Sequence, residues 1–317
     1  MATKVRTQIL VLSDTHGLRF PIDPKLQKPV DVAIHCGDLT ESSSVEEYKA
    51  TLQLLRDISA PLKIVIAGNH DLHLDPPALN RNIDEAERVN HETFDRRMVN
   101  EEIRTGKSLF DTARAEEIVF LEEGTYQFVL RNGAALKLFA SPFTPSTEGW
   151  AFEYATHDFD IQKGTDIVVT HGPPLGLLDI SSTGKRIGCP QLFKALARSQ
   201  PKMHCFGHVH HAWGARLVSW RPQLSENPSH FQDIDNSKSF SLENLARRND
   251  PTDIAEARRE RFKRYRDQGF CPISHSGDYE GSRRTLFVNA ATKGDNGLTQ
   301  VPWLVEMDLY PATDSDE

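Results

Sequence analysis

The chain has 317 residues but only four cysteines, and Cys36, Cys189, Cys205 and Cys271 form neither a CxxC pair nor a zinc-finger spacing. That low density excludes a disulfide-stapled secreted fold and fits reduced, buried thiols. Long apolar runs are missing as well. The first, residues 9–12, is far too short for a signal-peptide core or a membrane span, so a soluble cytoplasmic protein with no membrane partner is expected. Nor is there an excess of positive charge: 37 Lys and Arg face 45 Asp and Glu, a net charge of −8. A broad surface for a nucleic-acid polymer or an anionic membrane is therefore not expected. An anionic substrate would need local positive charge, which bound metal can supply.

What the chain does have is a rhythm of short apolar runs ending in polar clusters. Residues 9–12 run into Ser13, Asp14, Thr15 and His16, and residues 32–34 run into His35, Cys36, Gly37 and Asp38. Residues 62–67 lead to Gly68, Asn69, His70 and Asp71, and residues 166–169 to Thr170, His171 and Gly172. Runs this short and rich in Val and Ile fit strands buried on both faces. Between the second and third, residues 44–58 place Val45, Tyr48, Leu52 and Leu55 at helical spacing behind a Ser42–Ser44 cap. The rhythm is α/β, and polar residues at the carboxyl ends of such strands form the crevice where ligands bind. Residues 74–117 read as charged helix, and residues 128–130 with 136–139 as a hairpin. One domain over residues 1–317 is expected, with an insertion at residues 217–283 that is surface-packed, partly helical or disordered. Strand-like alternation resumes at residues 285–289 and 304–309, and the acidic tail from Asp314 is expected to fray.

The candidate metal ligands, in order, are Asp14 and His16 in SDTHG, Asp38 in GDLT, Asn69 in GNHD, His171 in THGPP, and His208 and His210 in GHVHH. Carboxylate, amide and imidazole without thiolate suit Mn²⁺ first, with Fe or Zn²⁺ as alternatives. Two such ions about 3.5–4 Å apart would activate a bridging water for in-line attack on a phosphoryl group. In an extended strand alternate residues face one side, so Asp14 with His16, and His208 with His210, would aim at one point. Asp38 is the natural bridge, because a carboxylate has two oxygens to share. Taken singly each residue has a plainer explanation: a hydrogen-bonded His, a helix N-cap for Asp38, a turn former for Asn69. These do not account for five clusters of complementary donors that all follow apolar runs. His35, His73, His204 and His211 fall outside the set. His70 has the position of a general acid at the rim, with a surface-loop His as the alternative. Asp71 either orients a neighbour or caps the next segment.

These blocks, in this order, resemble the calcineurin-like metallophosphoesterase superfamily, whose motifs are DxH, GD, GNH[DE], a lone His and GHxH. The resemblance implies a four-layer αββα sandwich with a surface insertion. It assigns Asp14, His16, Asp38 and His210 to one metal, Asp38, Asn69, His171 and His208 to the other, and proton donation or phosphate contact to His70. Residues 141–152, 170–176 and 186–196 are similar to the metallophosphoesterase-domain-containing branch related to class III cyclic-nucleotide phosphodiesterases. A small phosphate ester is then the expected partner, a cyclic nucleotide or related diester first and a monoester second. A catalytically silent scaffold is the rival class, and all seven metal positions being present weighs against it. GDLTE lacks the GDxxDRG extension of protein Ser/Thr phosphatases, so their phosphate-gripping Arg has no counterpart. A nuclease would need the Arg247–Arg266 cluster as its groove, although interspersed acids favour a solvated helical face. Phe143, Trp150 and Phe152 are candidates for a base-stacking wall, with core packing as the alternative.

Overall fold

The computed structural model describes residues 3–20, 28–245, 252–275 and 283–313. Arg247, Asp250 and the acidic tail from Asp314 lie outside the described residues. With strands numbered in chain order, a six-stranded sheet runs β13 (Cys271–His275), β17 (Trp303–Leu309), β1 (Val5–Leu12), β2 (Val32–His35), β3 (Leu62–Val65), β4 (Ile118–Phe120). A seven-stranded sheet runs β12 (Phe240–Asn244), β11 (Gly214–Ser219), β14 (Arg284–Asn289), β10 (Met203–Phe206), β9 (Ile167–Thr170), β6 (Ala135–Ser141), β5 (Gly124–Val129). Two short ribbons, β7 (Thr144–Pro145) with β8 (Glu153–Tyr154) and β15 (Lys293–Gly294) with β16 (Gly297–Leu298), lie in the connecting loops. The helices are α1 (Val45–Asp57), α2 (Pro76–Asn90), α3 (Arg96–Ala113), α4 (Pro190–Ser199) and α5 (Thr252–Gln268).

Side-chain alternation sets the layers. Along β1, Ile9 and Val11 face the other sheet and join Leu136, Leu138, Ile167, Val169 and Cys205 in one cluster between the sheets. Leu10 and Leu12, on the opposite face, pack with Tyr48, Leu52 and Leu55 of α1 and Phe110 of α3. The outer face of the second sheet, Phe139, Val168, Phe206 and Phe287, packs on Leu192, Phe193 and Leu196 of α4. The chain is thus a four-layer αββα sandwich, whose central strands are apolar on both faces, as the continuous runs require. α1 begins at a capping box: Ser44 Oγ accepts from Glu47 N at 3.3 Å, and Glu47 Oε2 accepts from Ser44 N at 3.0 Å.

The boundaries expected for the insertion do not coincide with the elements. Residues 217–219 finish β11 and pair with β14, and β13 adds a parallel edge strand to β17. Few aliphatics are needed in β13, because an edge strand hides only one face. α5 places Arg261 3.2 Å from Glu243 and Arg258 Nη2 2.6 Å from the Asn244 carbonyl, so these two cations of the Arg cluster bind their own chain. No helix among the described residues is long and apolar enough to cross a membrane.

Phe193 is 1% exposed and anchors α4 to its sheet. Phe193→Ala should lower stability by about 3–5 kcal/mol in urea unfolding; a loss under 1 kcal/mol would show that this layer does not hold the sandwich together.

Candidate metal centre

The parallel strands of both sheets end at the same edge. There the sheets are tied together: Ser13 bridges Ala291, Thr292 Oγ1 donates to Ser13 O at 2.7 Å, and the His171 ring reaches the Cys36 carbonyl at 2.9 Å. Strand pairing continues past the strands through Asp14 N to Gly37 O at 2.9 Å and His16 N to Asp38 O at 3.1 Å. All seven expected ligands meet at this edge. Asp14, His16, Asp38 and His210 have donor atoms within 4.8 Å of one another, and so do Asp38, His171 and His208, with Asp38 common to both groups. Asn69 Oδ1 lies 2.9 Å from His171 Nε2 and 2.8 Å from His208 Nδ1.

The expected reason for this convergence was wrong. Strand β1 stops at Leu12 and β10 at Phe206, so the strand pleat does not aim these pairs. Instead Asp14 (φ 55°), His16 (φ 47°), Asp38 (φ 53°) and His208 (φ 66°) adopt left-handed backbone that non-glycine residues rarely occupy. Such strain persists only where surrounding contacts enforce it, and it concentrates at functional sites. The enforcing contacts are visible. His208 N donates to both Asp14 oxygens at 2.9 and 3.1 Å, and His70 N donates to Asp38 Oδ1 at 3.0 Å. Asp71 accepts from Gly68 N, Leu39 N, Thr40 N and Thr40 Oγ1, locking GNHD onto GDLT, and it makes no cap bond to the turn it precedes. That settles its role as an orienting group. Close approach also dictates glycine: a Cβ on Gly68 would overlap Asp38 and stand 2.8 Å from His171 Cε1.

The electrostatics fit cations. Asp14 and Asp38 are buried, and among the described residues neither pairs with a Lys or Arg. Their neighbours are imidazoles: His171 Nε2 lies 3.3 Å from Asp38 Oδ1, His16 Nε2 3.5 Å from Asp38 Oδ2, and His210 Nε2 3.1 Å from Asp14 Oδ1. His171 Nδ1 donates to the Cys36 carbonyl at 2.9 Å, which leaves Nε2 facing only acceptor oxygens. A neutral ring would set lone pair against lone pair there, so a proton or a metal ion must lie between. Burial disfavours the His171 cation, yet the Asp38 carboxylate overrides it and lifts its pKa to about 9. Burial holds His208 down, to about 4, aided by the nearby His171 charge. His35 and His204, buried and bonded to Thr15 Oγ1 and Thr170 Oγ1, are likewise held near 3 by burial and act as neutral props for the ligand loops. The residues therefore fit divalent metal, with carboxylate, amide and imidazole donors in two groups that have Asp38 in common.

His70 sits at the rim. Its Nδ1 donates to Glu41 O at 2.9 Å, so its Nε2 is the free position; its ring lies 4.8 Å from that of His16 and 4.6 Å from that of Trp150 at 34°. Of the three aromatics considered for stacking only Trp150 stands beside these rim residues, since Phe143 and Phe152 pack on each other. Two rim residues escaped notice in the sequence. Glu41 Oε2 is 3.1 Å from His16 Nδ1, and Lys293 Nζ is bonded to the same Glu41 oxygen. Glu41 was legible as the last letter of GDLTE; Lys293 carried no local signal, because only the pairing of Ser13 with Ala291 brings it here.

A four-layer sandwich with shared acidic and imidazole donors at its strand ends defines a candidate metal-dependent hydrolase. The chain belongs to the calcineurin-like phosphoesterase family, whose model matches residues 7–212. It is 34% identical over 219 residues to the probable rhamnogalacturonate lyase C of Emericella nidulans, a match covering 67% of this chain and 18% of that one. It is 31% identical over 221 residues to human metallophosphoesterase domain-containing protein 1, covering 66% and 62% of the two chains. A UPF0046 protein of Caenorhabditis elegans is 28% identical over 208 residues, covering 63% and 50%. The chain thus spans less than two thirds of each of these relatives.

Metal binding must displace the His171 proton. Because the metal-free pKa is about 9, apparent affinity should rise about tenfold per pH unit from 7 towards 9 and then level, with proton release at pH 7 in an indicator titration. A pH-independent affinity would contradict the assigned ligand. Gly68→Ala should abolish metal binding at every pH.

Proposed function

We propose that this protein hydrolyses a small phosphate ester at a centre of two divalent ions, manganese first and iron or zinc as alternatives. A phosphodiester such as a cyclic nucleotide is the preferred substrate and a monoester the alternative. The observation that carries the reading is the convergence of Asp14, His16, Asp38, Asn69, His171, His208 and His210 on one edge of the sandwich, with Asp38 common to both donor groups. Family membership supports phosphoester chemistry, and the diester preference rests on the branch likeness of residues 141–152, 170–176 and 186–196.

When bound, the ions neutralise phosphoryl charge and lower the pKa of a water molecule. The chain's own groups do the rest. Asp38 and Asp14 hold the ions, and the Asp71 bonds keep the Asp38 and Asn69 loops in register. His70, its Nδ1 committed to Glu41 O, presents Nε2 to protonate the leaving oxygen. Trp150 supports the His70 ring and limits its rotation. We place the activity in the cytoplasm, where four free buried thiols stay reduced.

Protein stripped with a chelator and reloaded with Mn²⁺ should hydrolyse bis-p-nitrophenyl phosphate; no turnover with Mn²⁺, Fe²⁺ or Zn²⁺ would sink the hydrolase reading. His70→Gln should retain both ions by metal analysis while kcat falls about 10²–10⁴-fold. Unchanged kcat would remove His70 from the chemistry.

A further inference from the structure

One residue beyond His210, the chain enters the wall of a second cavity. His211 and Ala212 line a pocket of about 510 Å³ together with Trp213, Leu178 and Ile180 on the apolar side and Arg186 and Arg216 on the charged side. The balance of charge there is unusual for a chain of net charge −8. Arg186 Nη1 is 2.5 Å from Asp179, a fully buried carboxylate that also fixes Gly176 N at 2.8 Å. Arg216, projecting from β11, is half-buried and donates to the neutral Asn236 Oδ1 at 2.8 Å; among the described residues it pairs with no carboxylate. Asp179 is thus committed to Arg186, and Arg216 has no acid of its own among the described residues. Burial, and then the charge of Arg186, lower the Arg216 pKa, the direction expected of a cation with no anionic partner. Leu178 and Ile180 belong to the loop after THGPP, and Asn289 Nδ2 ties that loop to the GHVHH loop through Leu178 O at 3.4 Å and Val209 O at 3.0 Å. Asn289 thus links the pocket wall to the segment that carries His208 and His210.

We propose that this pocket takes the organic part of the substrate, with Arg186 and Arg216 holding an anionic group on it. The substrate is then a phosphate ester whose apolar body bears a second carboxylate or phosphate. Trp213 and Leu178 bound the body, Ile180 at the open rim is 47% exposed, and the guanidinium pair accepts a planar or tetrahedral oxyanion by paired N–H donation. This inference rests on the phosphoester-hydrolase reading for its substrate but not for its binding site.

The binding site is tested without metal. Chelated and dialysed protein should bind benzylphosphonate or phenylacetate in calorimetry, and the tighter of the two identifies the anion. Arg216→Gln should weaken binding about tenfold or more. Ile180→Glu, at an exposed position that tolerates a polar side chain, should do the same by repulsion, while the remote Arg264→Gln should not. In the Mn²⁺-loaded protein, 4-(carboxymethyl)phenyl phosphate or its phosphonomethyl analogue should exceed phenyl phosphate in kcat/KM about tenfold, and Arg216→Gln should erase that preference. Failure of the wild type to bind either probe, or equal binding by both variants, overturns the pocket, and so does the lack of a preference in a wild type that turns these esters over. Probe binding without hydrolysis of any ester supports the anion pocket and overturns the hydrolase reading instead.

Discussion

Two buried carboxylates that cannot be left uncompensated govern this site. Asp14 and Asp38 stand where β1 and β2 end, out of contact with water and away from any described Lys or Arg partner. An isolated buried carboxylate is far too costly to keep ionised, so it must be protonated, paired or bound to a cation. Here its partners are imidazoles, which share charge with it in the absence of metal and become neutral ligands in its presence. Burial raises the carboxyl pKa values, yet the histidines more than offset it, holding Asp38 well below the ordinary range and Asp14 lowered. The charge that a metal needs is therefore already present before it binds.

The same requirement explains the fold around the edge. Holding two like charges together demands a stiff frame, and the frame is the joining of the two sheets at their carboxyl ends through Ser13 with Ala291 and Thr292, and His171 with Cys36. Left-handed backbone at Asp14, His16, Asp38 and His208 is the local cost of pointing four donors inward, and the bonds from His208 N and His70 N to the carboxylates maintain it. His35 and His204, which ligate nothing, hold the threonines beside the ligands.

Much of this was legible in the sequence, since apolar runs buried on both faces announce the parallel strands and their polar endings announce the edge. The ligand residues could be named from residue type and position after a strand. Their aim could not: alternation along a strand named pairs that do converge, but not by that route, because backbone angles past a strand end depend on the opposing loop. Glu41 and Lys293 were missed because their place at the rim depends on which strand ends adjoin, a property of topology rather than of local pattern. The strand β13, inside the stretch read as an insertion, had no clear pattern, since an edge strand hides only one face and carries little periodicity.

The central claim is that Asp38 holds two ions together. It is tested most directly by loading the chelated protein with Mn²⁺, counting bound metal per chain and locating it by anomalous scattering. The account predicts two ions about 3.5–4 Å apart with the Asp38 carboxylate between them. A single ion, or two ions that do not share Asp38, would contradict it.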